Sequence, residues 1–248
     1  MKKSLLIIVA LVVCLPLILC FGCSTEDNQI TSGDGMWKYI ENEDGTISIT
    51  SICDMQENIV IPEQIDGKTV SALGEKLFVI INNGSSSKQL EGVYDDNNVL
   101  KSVTINAKIK EIPNMCFYLC RVLEVVNLPE TLEKVSDFAF YGCSALQNIT
   151  FPEKCSALGA YTFRECSKLQ EVVIESGSVP QIGDKCFYMV NTKASGDDQY
   201  YIIPGLQIKV KDLALYSIDN LESERKATRN NSYKYWQEYV RANVVVNG

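Results

Sequence analysis

The chain contains no histidine among its 248 residues. Imidazole is the usual general base beside a nucleophilic serine or cysteine, and it is a frequent ligand of catalytic zinc. Its absence excludes Ser–His and Cys–His catalytic pairs and any zinc site built on imidazole. The sequence also lacks the glycine-rich motifs that bind nucleotide phosphates. We therefore predict that the protein is not an enzyme and has no catalytic residue, resident metal or cofactor.

Basic residues are also few. The chain has 23 Lys and Arg against 31 Asp and Glu, a formal net charge of −8. Two of those lysines and none of the acids lie in residues 1–22, so the remaining 21 basic and 31 acidic residues give −10. Such a chain is repelled by phosphate backbones and anionic lipid surfaces. Nucleic acid is therefore excluded as an expected partner. The acidic pair Asp197-Asp198 is interpreted as part of a solvated loop, with calcium binding as the alternative.

The chain does contain a repeated motif, Leu-x-x-(Val/Ile)-x followed by an apolar residue, and each copy leads to a phenylalanine near its end. Four copies begin 23 residues apart, at Leu100, Leu123, Leu146 and Leu169. A period in this range with such a heading is typical of a leucine-rich repeat. One repeat cannot bury its own apolar face, so stacked neighbours have to form a continuous core. The spacing therefore predicts a solenoid.

Each motif predicts one short parallel strand. The predicted strands are residues 58–61, 102–105, 125–128, 148–151, 171–174 and 207–210. Upstream, alternating apolar residues around Asp44-Gly45 predict a β-hairpin that covers the first repeat. Helix-like spacing of aromatic residues predicts a mostly helical cap over residues 213–246. The expected fold class is α/β: a leucine-rich repeat solenoid with short parallel strands, an N-terminal β-hairpin cap and a mostly helical C-terminal cap.

Residues 123–143 follow the pattern L-x-x-I-x-I-P-x-x-(V/L)-x-x-I-G-x-x-A-F-x-x-C almost letter for letter. This pattern resembles the repeat of the BspA-type, or bacterial surface-antigen, leucine-rich repeat family. The resemblance covers residues 37–248, apart from inserts near 79–99 and 191–203. It implies a secreted or surface-attached protein that mediates adhesion or protein recognition. The resemblance does not identify the partner, which we expect to be an extracellular or host protein or a glycan.

The first 22 residues have the composition of a targeting segment. Lys2 and Lys3 precede an apolar run from Leu5 to Phe21, and the small residue Gly22 follows, a pattern typical of a secretory signal peptide. Gly22-Cys23 resembles a lipobox, in which the cysteine is lipidated and becomes the mature N-terminus. An uncleaved membrane anchor and plain secretion are the alternatives, and all three place the repeats outside the cytoplasm.

These features divide the chain into three parts. We expect a signal peptide at 1–22, a lipidated Cys23 with a flexible tether at 23–36, and a repeat domain with terminal caps at 37–248. The expected location is the cell envelope, with the lipid as membrane anchor and the repeats exposed on the outer surface.

Cysteines and phenylalanines recur at repeat positions that point into the core. Cys120, Cys143 and Cys166 share one position, where a cysteine acts as a small apolar residue. Their side chains point the same way, which keeps Cβ atoms further apart than the ~3.8 Å that a disulfide prefers. We predict buried free thiols, with a bridge in this column and a half metal site at Cys116 and Cys120 as the alternatives. The phenylalanines predict a stacked, buried spine: Phe78, Phe117, Phe140, Phe163 and Phe187.

The candidate binding surface consists of the residues that flank the central apolar position of each strand, because alternation directs them away from the core. They are Asn58, Val60, Ser102, Thr104, Val125, Asn127, Asn148, Thr150, Glu171, Val173, Gln207 and Lys209. No Tyr, Trp or Arg, the usual anchors of protein interfaces, occurs among them. An ordinary solvated sheet is therefore one alternative. A second is a carbohydrate-binding accessory module of the cell surface, in which polar side chains bond sugar hydroxyls and Tyr200-Tyr201 stacks on a glycan ring.

Overall fold

The structure is a computed structural model that describes residues 28–81, 94–178, 180–191, 199–203, 205–211 and 244–246. Within these ranges the chain forms twenty short β-strands. They are β1 (Ile30–Thr31), β2 (Trp37–Glu41), β3 (Ile47–Ile52), β4 (Asn58–Ile61), β5 (Gln64–Ile65), β6 (Lys68–Leu73), β7 (Ile80–Ile81), β8 (Tyr94–Asp95), β9 (Ser102–Ile105), β10 (Glu111–Ile112), β11 (Val125–Asn127), β12 (Lys134–Val135), β13 (Asn148–Phe151), β14 (Ala157–Leu158), β15 (Glu171–Ile174), β16 (Gln181–Ile182), β17 (Tyr188–Asn191), β18 (Gln199–Ile202), β19 (Gln207–Val210) and β20 (Val244–Val246).

The N-terminal end of the repeats adjoins a five-stranded sheet in the order β1-β2-β3-β6-β5. Its centre is the predicted hairpin, in which β2 pairs antiparallel with β3. Gly45 occupies the turn with φ +81°, a left-handed conformation that glycine adopts without steric cost. β1 pairs with β2 through Ile30 and Thr31, so this part of the predicted tether belongs to the sheet.

The six predicted repeat strands are present as β4, β9, β11, β13, β15 and β19, and β11 ends one residue earlier than expected. Neighbours pair in parallel at the repeat spacing, for example Val126 with Val103 and Val172 with Ile149. A second parallel sheet, β10-β12-β14-β16, is formed by two-residue strands further along each repeat. The four repeats that begin at Leu100, Leu123, Leu146 and Leu169 therefore each contribute one strand on either side of the core.

The core between the two sheets contains the predicted phenylalanine spine. Adjacent rings stack with centroids 4.8, 5.0, 5.4 and 5.5 Å apart and with planes within 13° of parallel. All five rings are buried. Offset-stacked aromatic pairs add to the free energy gained from burial alone. The spine therefore links each repeat to the next.

The first sheet is interrupted in the middle of the array. It consists of a three-stranded part that ends at β11 and a four-stranded part that begins at β13, and no ladder joins them in the described chain. At two other junctions the residue after the strand donates a hydrogen bond to the neighbouring strand. Asn106 N–H donates to Ile61 O at 2.9 Å, and Glu175 N–H donates to Phe151 O at 3.0 Å. Pro152 has no N–H to donate at this position, but neither has Pro129 at the end of β11, which stays paired with β9, so the proline alone does not cause the interruption.

A large ring also lies at the end of β13. Phe151 occupies the position that Ile105 and Ile174 occupy in other repeats, and it is buried edge-on against Phe163 with centroids 5.9 Å apart. In the second sheet β12 and β14 remain paired through Val135 and Leu158. The interruption is therefore confined to one sheet.

The predicted mostly helical C-terminal cap, and with it the α/β class, is wrong. No α-helix occurs in the described residues, and β20 lies inside the predicted helical segment yet pairs in parallel with β19. The physical reason is that consecutive valines favour an extended backbone and that β19 offers an unpaired sheet edge. Residues 212–243 of the predicted cap lie outside the described ranges. Nowhere in those ranges does the chain form a helix with the length and apolar composition needed to traverse a bilayer.

Candidate functional site

The predicted binding surface is a real face of the first sheet. The central residues of its strands are buried and their flanking residues point outwards, with Val60 53% and Val125 47% exposed. Val173 is the exception at 8% exposure, because it lies between Thr150 and Lys209 in the pairing register. Val173 therefore offers little surface to a ligand.

Polar side chains on this face bond to one another across neighbouring strands. Ser102 Oγ donates to Asn58 Oδ1 at 2.6 Å, and Asn127 Nδ2 donates to Thr104 Oγ1 at 3.0 Å. The Lys209 ammonium lies 2.6 Å from the Glu171 carboxylate. Each pair already satisfies part of the hydrogen-bonding capacity that a ligand would use. No such cross-strand bond is recorded for Asn148 or Thr150 in the described chain.

A cleft of about 270 Å³ opens where the sheet is interrupted. It lies between β11 and β13, and its rim combines amide, hydroxyl, carboxylate and apolar side chains. The lining includes Val125, Asn127, Glu130, Asn148, Thr150 and Glu175. A wider depression of about 410 Å³ lies at the start of β13, β15 and β19, where Gln147, Gln170 and Gln207 contribute amides. The predicted face therefore has concave sites as well as flat sheet.

A second surface, which the sequence analysis missed, consists of partly exposed aromatic residues and one arginine beside the buried spine. We call it the aromatic ridge: Tyr94, Tyr118, Phe138, Tyr141, Tyr161 and Arg164. Tyr118 and Tyr141 stack with ring centroids 5.0 Å apart, and Phe138 and Tyr161 stack at 4.9 Å. Tyr94 meets Tyr118 edge-on at 5.6 Å. The ridge therefore runs along several repeats.

Cationic side chains hold the ridge in place. The Arg164 guanidinium lies 5.7 Å from the centroid of Tyr141 and 5.5 Å from that of Tyr161, within the range of cation–π attraction. At the other end Lys76 Nζ lies 5.2 Å from the centroid of Tyr94. Burial, followed by the nearby Tyr141 phenol, raises the pKa of Tyr118 above its usual value. Tyr118 is therefore a neutral hydroxyl at physiological pH.

The repeat positions carry a signal that would have revealed this ridge. Tyr118, Tyr141 and Arg164 each follow a spine phenylalanine directly, whereas Phe138 and Tyr161 precede one by two residues. Phe138 and Tyr161 both have φ of 56°, an uncommon conformation for a side chain that has a Cβ atom.

Comparison with known proteins agrees with the repeat geometry. Residues 91–195 match the family model of the BspA type leucine rich repeat region, with six copies. This match confirms the resemblance that the repeat motif indicates. No curated protein sequence matches the chain at a significant level.

Solved structures of bacterial proteins are similar to this chain, and the first of the three described below shares its fold. The T. pallidum leucine rich repeat protein has 24% identity and a TM-score of 0.54, and the match covers 71% of this chain and 68% of that one. A leucine-rich repeat protein from Bacteroides capillosus has 22% identity and a TM-score of 0.47 over 60% of this chain and 100% of that one. Pneumococcal vaccine antigen PcpA has 17% identity and a TM-score of 0.47 over 87% of this chain and 49% of that one.

The cysteines of the BspA-type repeats are buried free thiols, as predicted. Burial raises the pKa of Cys155 to about 11 and that of Cys186 to about 12, and it raises the pKa of Cys143 well above the usual value. A protonated, buried thiol is a poor nucleophile and a poor metal ligand. Within the described ranges no group of three or more metal-ligating side chains occurs.

Proposed function

We propose that this protein is a cell-surface recognition protein whose leucine-rich repeat solenoid binds a partner protein in adhesion. The observation that carries the proposal is the aromatic ridge. Tyr and Arg are enriched among the residues that dominate binding energy at protein interfaces. The ridge presents them in one partly exposed strip, held rigid by ring stacking and cation–π contacts. The predicted sheet face, with its paired polar side chains, would then be a secondary surface.

The ring geometry favours a protein over a glycan at this strip. A sugar stacks on an open aromatic face, whereas the faces of Tyr118 and Tyr141 are turned towards each other. Ring edges and phenol hydroxyls remain to make contacts, and these suit the mixed polar and apolar surface of a protein. A carbohydrate-binding accessory module is the alternative. The residues proposed for ring stacking, Tyr200 and Tyr201, have side chains outside the described part of the structure.

The proposed location is the outer surface of the cell envelope, with the repeats attached through lipid on Cys23. The supporting observations are the signal-like apolar run before Gly22-Cys23 and the BspA-type repeat region. A partner reached in this way is an extracellular or host protein.

The test uses the chain from residue 23 onwards, immobilised and presented with a panel of purified extracellular-matrix proteins and with a glycan array. We expect saturable binding to a protein. Tyr141→Ser should weaken that binding by about thirtyfold or more, since loss of a hot-spot side chain costs ~2 kcal/mol or more. Thermal unfolding of each variant shows whether the fold is retained.

The matched control is Asn58→Ala on the sheet face, which should leave the affinity unchanged. Equal loss in both variants would contradict the assignment to the aromatic ridge. Saturable binding of a glycan in the absence of any protein binding would favour the carbohydrate-binding alternative.

A further inference from the structure

We infer that two inserted hairpins bound the aromatic ridge at its two ends, and that the site between them takes a single α-helix of a partner protein, with an apolar face and an acidic residue. The first hairpin consists of β7 and β8, and the second consists of β17 and β18. The inference rests on the proposed function, since it concerns the same ridge. Variants of the hairpin and of the ridge can nevertheless fail independently.

The second hairpin is inserted in the turn that follows a spine phenylalanine. In the repeats before it this turn has two residues, and the next N–H closes it on the phenylalanine carbonyl, as Cys143 N–H does on Phe140 O at 3.1 Å. Ile203 N–H closes the second hairpin on Phe187 O, also at 3.1 Å. The hairpin therefore replaces a two-residue turn and leaves the rest of the repeat intact.

The first hairpin is inserted at the same point of an earlier repeat. Asn97, which ends this insert, lies 23 residues before Cys120 and so holds the same repeat position. Its buried side-chain amide donates to Phe78 O at 2.9 Å, and this bond closes the turn. Insertions at one position of a solenoid repeat lie on one face, which is often the binding face.

Both hairpins adjoin the row of turns that carries the ridge. At one end Asn97 N–H donates to Leu119 O at 2.9 Å, and at the other Glu165 N–H donates to Tyr188 O at 3.2 Å, where β17 begins. The turns between them are joined by the same kind of bond at 2.8 Å. Each hairpin is a two-stranded sheet that pairs with no other strand of the described chain. The ridge is therefore the floor between them.

One face of the first hairpin is turned towards this floor. Ile81 pairs with Tyr94, and residues directly opposite each other in an antiparallel pair share a face. The Tyr94 ring meets Tyr118 edge-on at 5.6 Å, so the shared face is the one beside the ridge. The side chain of Ile81 is 53% exposed on that face. Because side chains alternate along a strand, Asp95 lies on the opposite face.

The distance between the hairpins fits one helix. Neighbouring chains joined by backbone hydrogen bonds lie ~4.8 Å apart, so three intervening turns separate the two hairpins by ~19 Å. The spine rings beneath, spaced 4.8 to 5.5 Å apart, agree with this step. Part of the distance belongs to the hairpins themselves, and an α-helix with its side chains is ~10–12 Å across. A flat protein face would meet the hairpins before it reached the ridge.

The chemistry of the floor indicates what the helix carries. Its rings suit the apolar face of an amphipathic helix. Lys76 Nζ lies 5.2 Å from the centroid of Tyr94, and Lys76 forms no ion pair within the described ranges. The nearby Asp96 carboxylate is already paired with Arg121 at 2.9 Å. An acidic residue of the partner helix is therefore complementary to Lys76.

The test selects two displayed libraries on the chain from residue 23 onwards. One randomises a single face of a helical scaffold, and the other randomises the flat sheet face of a β-sandwich. Ile81→Ser and Tyr141→Ser should each weaken the enriched helical binders at least about tenfold, a change of ~1.4 kcal/mol. Lys76→Gln should weaken binders that carry an acidic residue by about threefold or more, the effect of losing a partly exposed ion pair.

Two matched controls come from surfaces outside the ridge. Val60 is 53% exposed, as Ile81 is, but it lies on the outermost strand β4, so Val60→Ser should leave the affinity unchanged. Lys154 is exposed between β13 and β14, so Lys154→Gln removes the same charge without touching a turn of the ridge. Thermal unfolding of each variant shows that the fold is retained.

The outcomes separate the bounded site from the ridge itself. Helical binders that require Tyr141 but not Ile81 would overturn the bounded site and leave the ridge as proposed. Helical binders that require neither residue would overturn it even where a matrix protein binds through Tyr141. Sheet-face binders that depend on Ile81 and Tyr141 as strongly as helical ones would overturn the assignment to a helix. So would a helical library that yields no binder, or equal loss in Val60→Ser.

Discussion

The Cys143 thiol donates a hydrogen bond to the backbone carbonyl of Phe117 in the preceding repeat, with Sγ and O 3.1 Å apart. Cys166 makes the same bond to Phe140 O, also at 3.1 Å. The Phe117 carbonyl already accepts Cys120 N–H at 3.2 Å, so the thiol uses its second lone pair. The side chain at this position is therefore a hydrogen-bond donor as well as an apolar packing group. The thiol links successive repeats beside the phenylalanine spine.

Cys143→Ala should lower the free energy of unfolding by about 1–2 kcal/mol, because the variant loses a buried weak hydrogen bond and packing volume. A denaturant titration measures the change. Cys53 is exposed, so Cys53→Ala should change stability by no more than about 0.5 kcal/mol. A Cys143→Ala variant as stable as the wild type would show that neither the hydrogen bond nor the packing of the Cys143 thiol contributes to stability.

Stability should fall at alkaline pH because other core cysteines are also buried as protonated thiols. Burial raises the pKa of Cys155 to about 11 and that of Cys186 to about 12, whereas an unfolded thiol titrates near ~8.5. The folded state then retains protons that the unfolded state loses. The protonated thiols contribute their full stabilisation below pH ~8.5. This contribution declines as the pH rises towards the pKa values of the folded state, by at most ~1.4 kcal/mol per pH unit for each thiol.

Denaturant titrations at pH ~7.5 and ~9.5 measure this decline. Cys186→Ala should be less stable than the wild type at the lower pH. It should lose less stability than the wild type does when the pH is raised from the lower to the higher value. A wild-type chain with equal stability at both pH values would contradict buried protonated thiols.

Phe140→Ala should lower the free energy of unfolding by about 3–5 kcal/mol, the usual cost of deleting a buried phenylalanine. Phe140 stacks on Phe117 at 5.0 Å and on Phe163 at 5.4 Å, so neighbours on both sides hold the cavity open. Thr150→Ala, on the exposed sheet face, should cost no more than about 0.5 kcal/mol. Similar losses in the two variants would contradict the inward and outward register of the repeats.

The strands and the spine were predictable because they follow from periodicity. Core residues such as Val126 and Phe140 recur in every repeat. Because side chains alternate along a strand, the apolar pattern determines which of them are buried. The interruption between β11 and β13 was not predictable in this way. The large ring of Phe151 lies at this junction, but the repeat pattern treats it as another apolar residue, and the proline after it recurs as Pro129 where the strands stay paired.

The candidate site was predicted only in part. The outward residues of each strand were identified correctly, apart from the nearly buried Val173. The aromatic ridge was missed because its rings come from turns, where neither strand nor helix periodicity applies. The helical cap was predicted from spacing alone, whereas Val244–Val246 pairs with an open sheet edge, a tertiary contact that helix periodicity does not register.

Gly142→Ala should destabilise the protein by about 1–2 kcal/mol or more, because Gly142 has φ of +73° and a left-handed backbone disfavours any Cβ atom. The added Cβ would also lie 2.8 Å from Leu119 Cδ2, which has to move. Gly177 is the matched control, since an added Cβ there meets nothing within 4 Å. Gly177→Ala should leave the denaturation midpoint nearly unchanged. Leu119 and Glu165 hold the same turn position with φ of 60° and 66°, so a neutral Gly142→Ala would show that this repeat tolerates the conformation as its neighbours do.

Cys23 should carry the membrane anchor, and this prediction tests the proposed location directly. The cysteine follows an apolar signal-like run and Gly22. Cells that express the full chain and are fed a fatty-acid analogue should label the wild type and Cys53→Ala, but not Cys23→Ala. Loss of the label should be accompanied by loss of the protein from the membrane fraction, because a lipid contributes ~0.8 kcal/mol of membrane binding for each buried methylene and the acidic chain has no electrostatic attraction to replace it.

Equal labelling of wild type and Cys23→Ala would exclude the lipid anchor. Membrane retention of an unlabelled wild type, with its apolar leader intact, would instead support an uncleaved anchor, and release into the medium would support plain secretion.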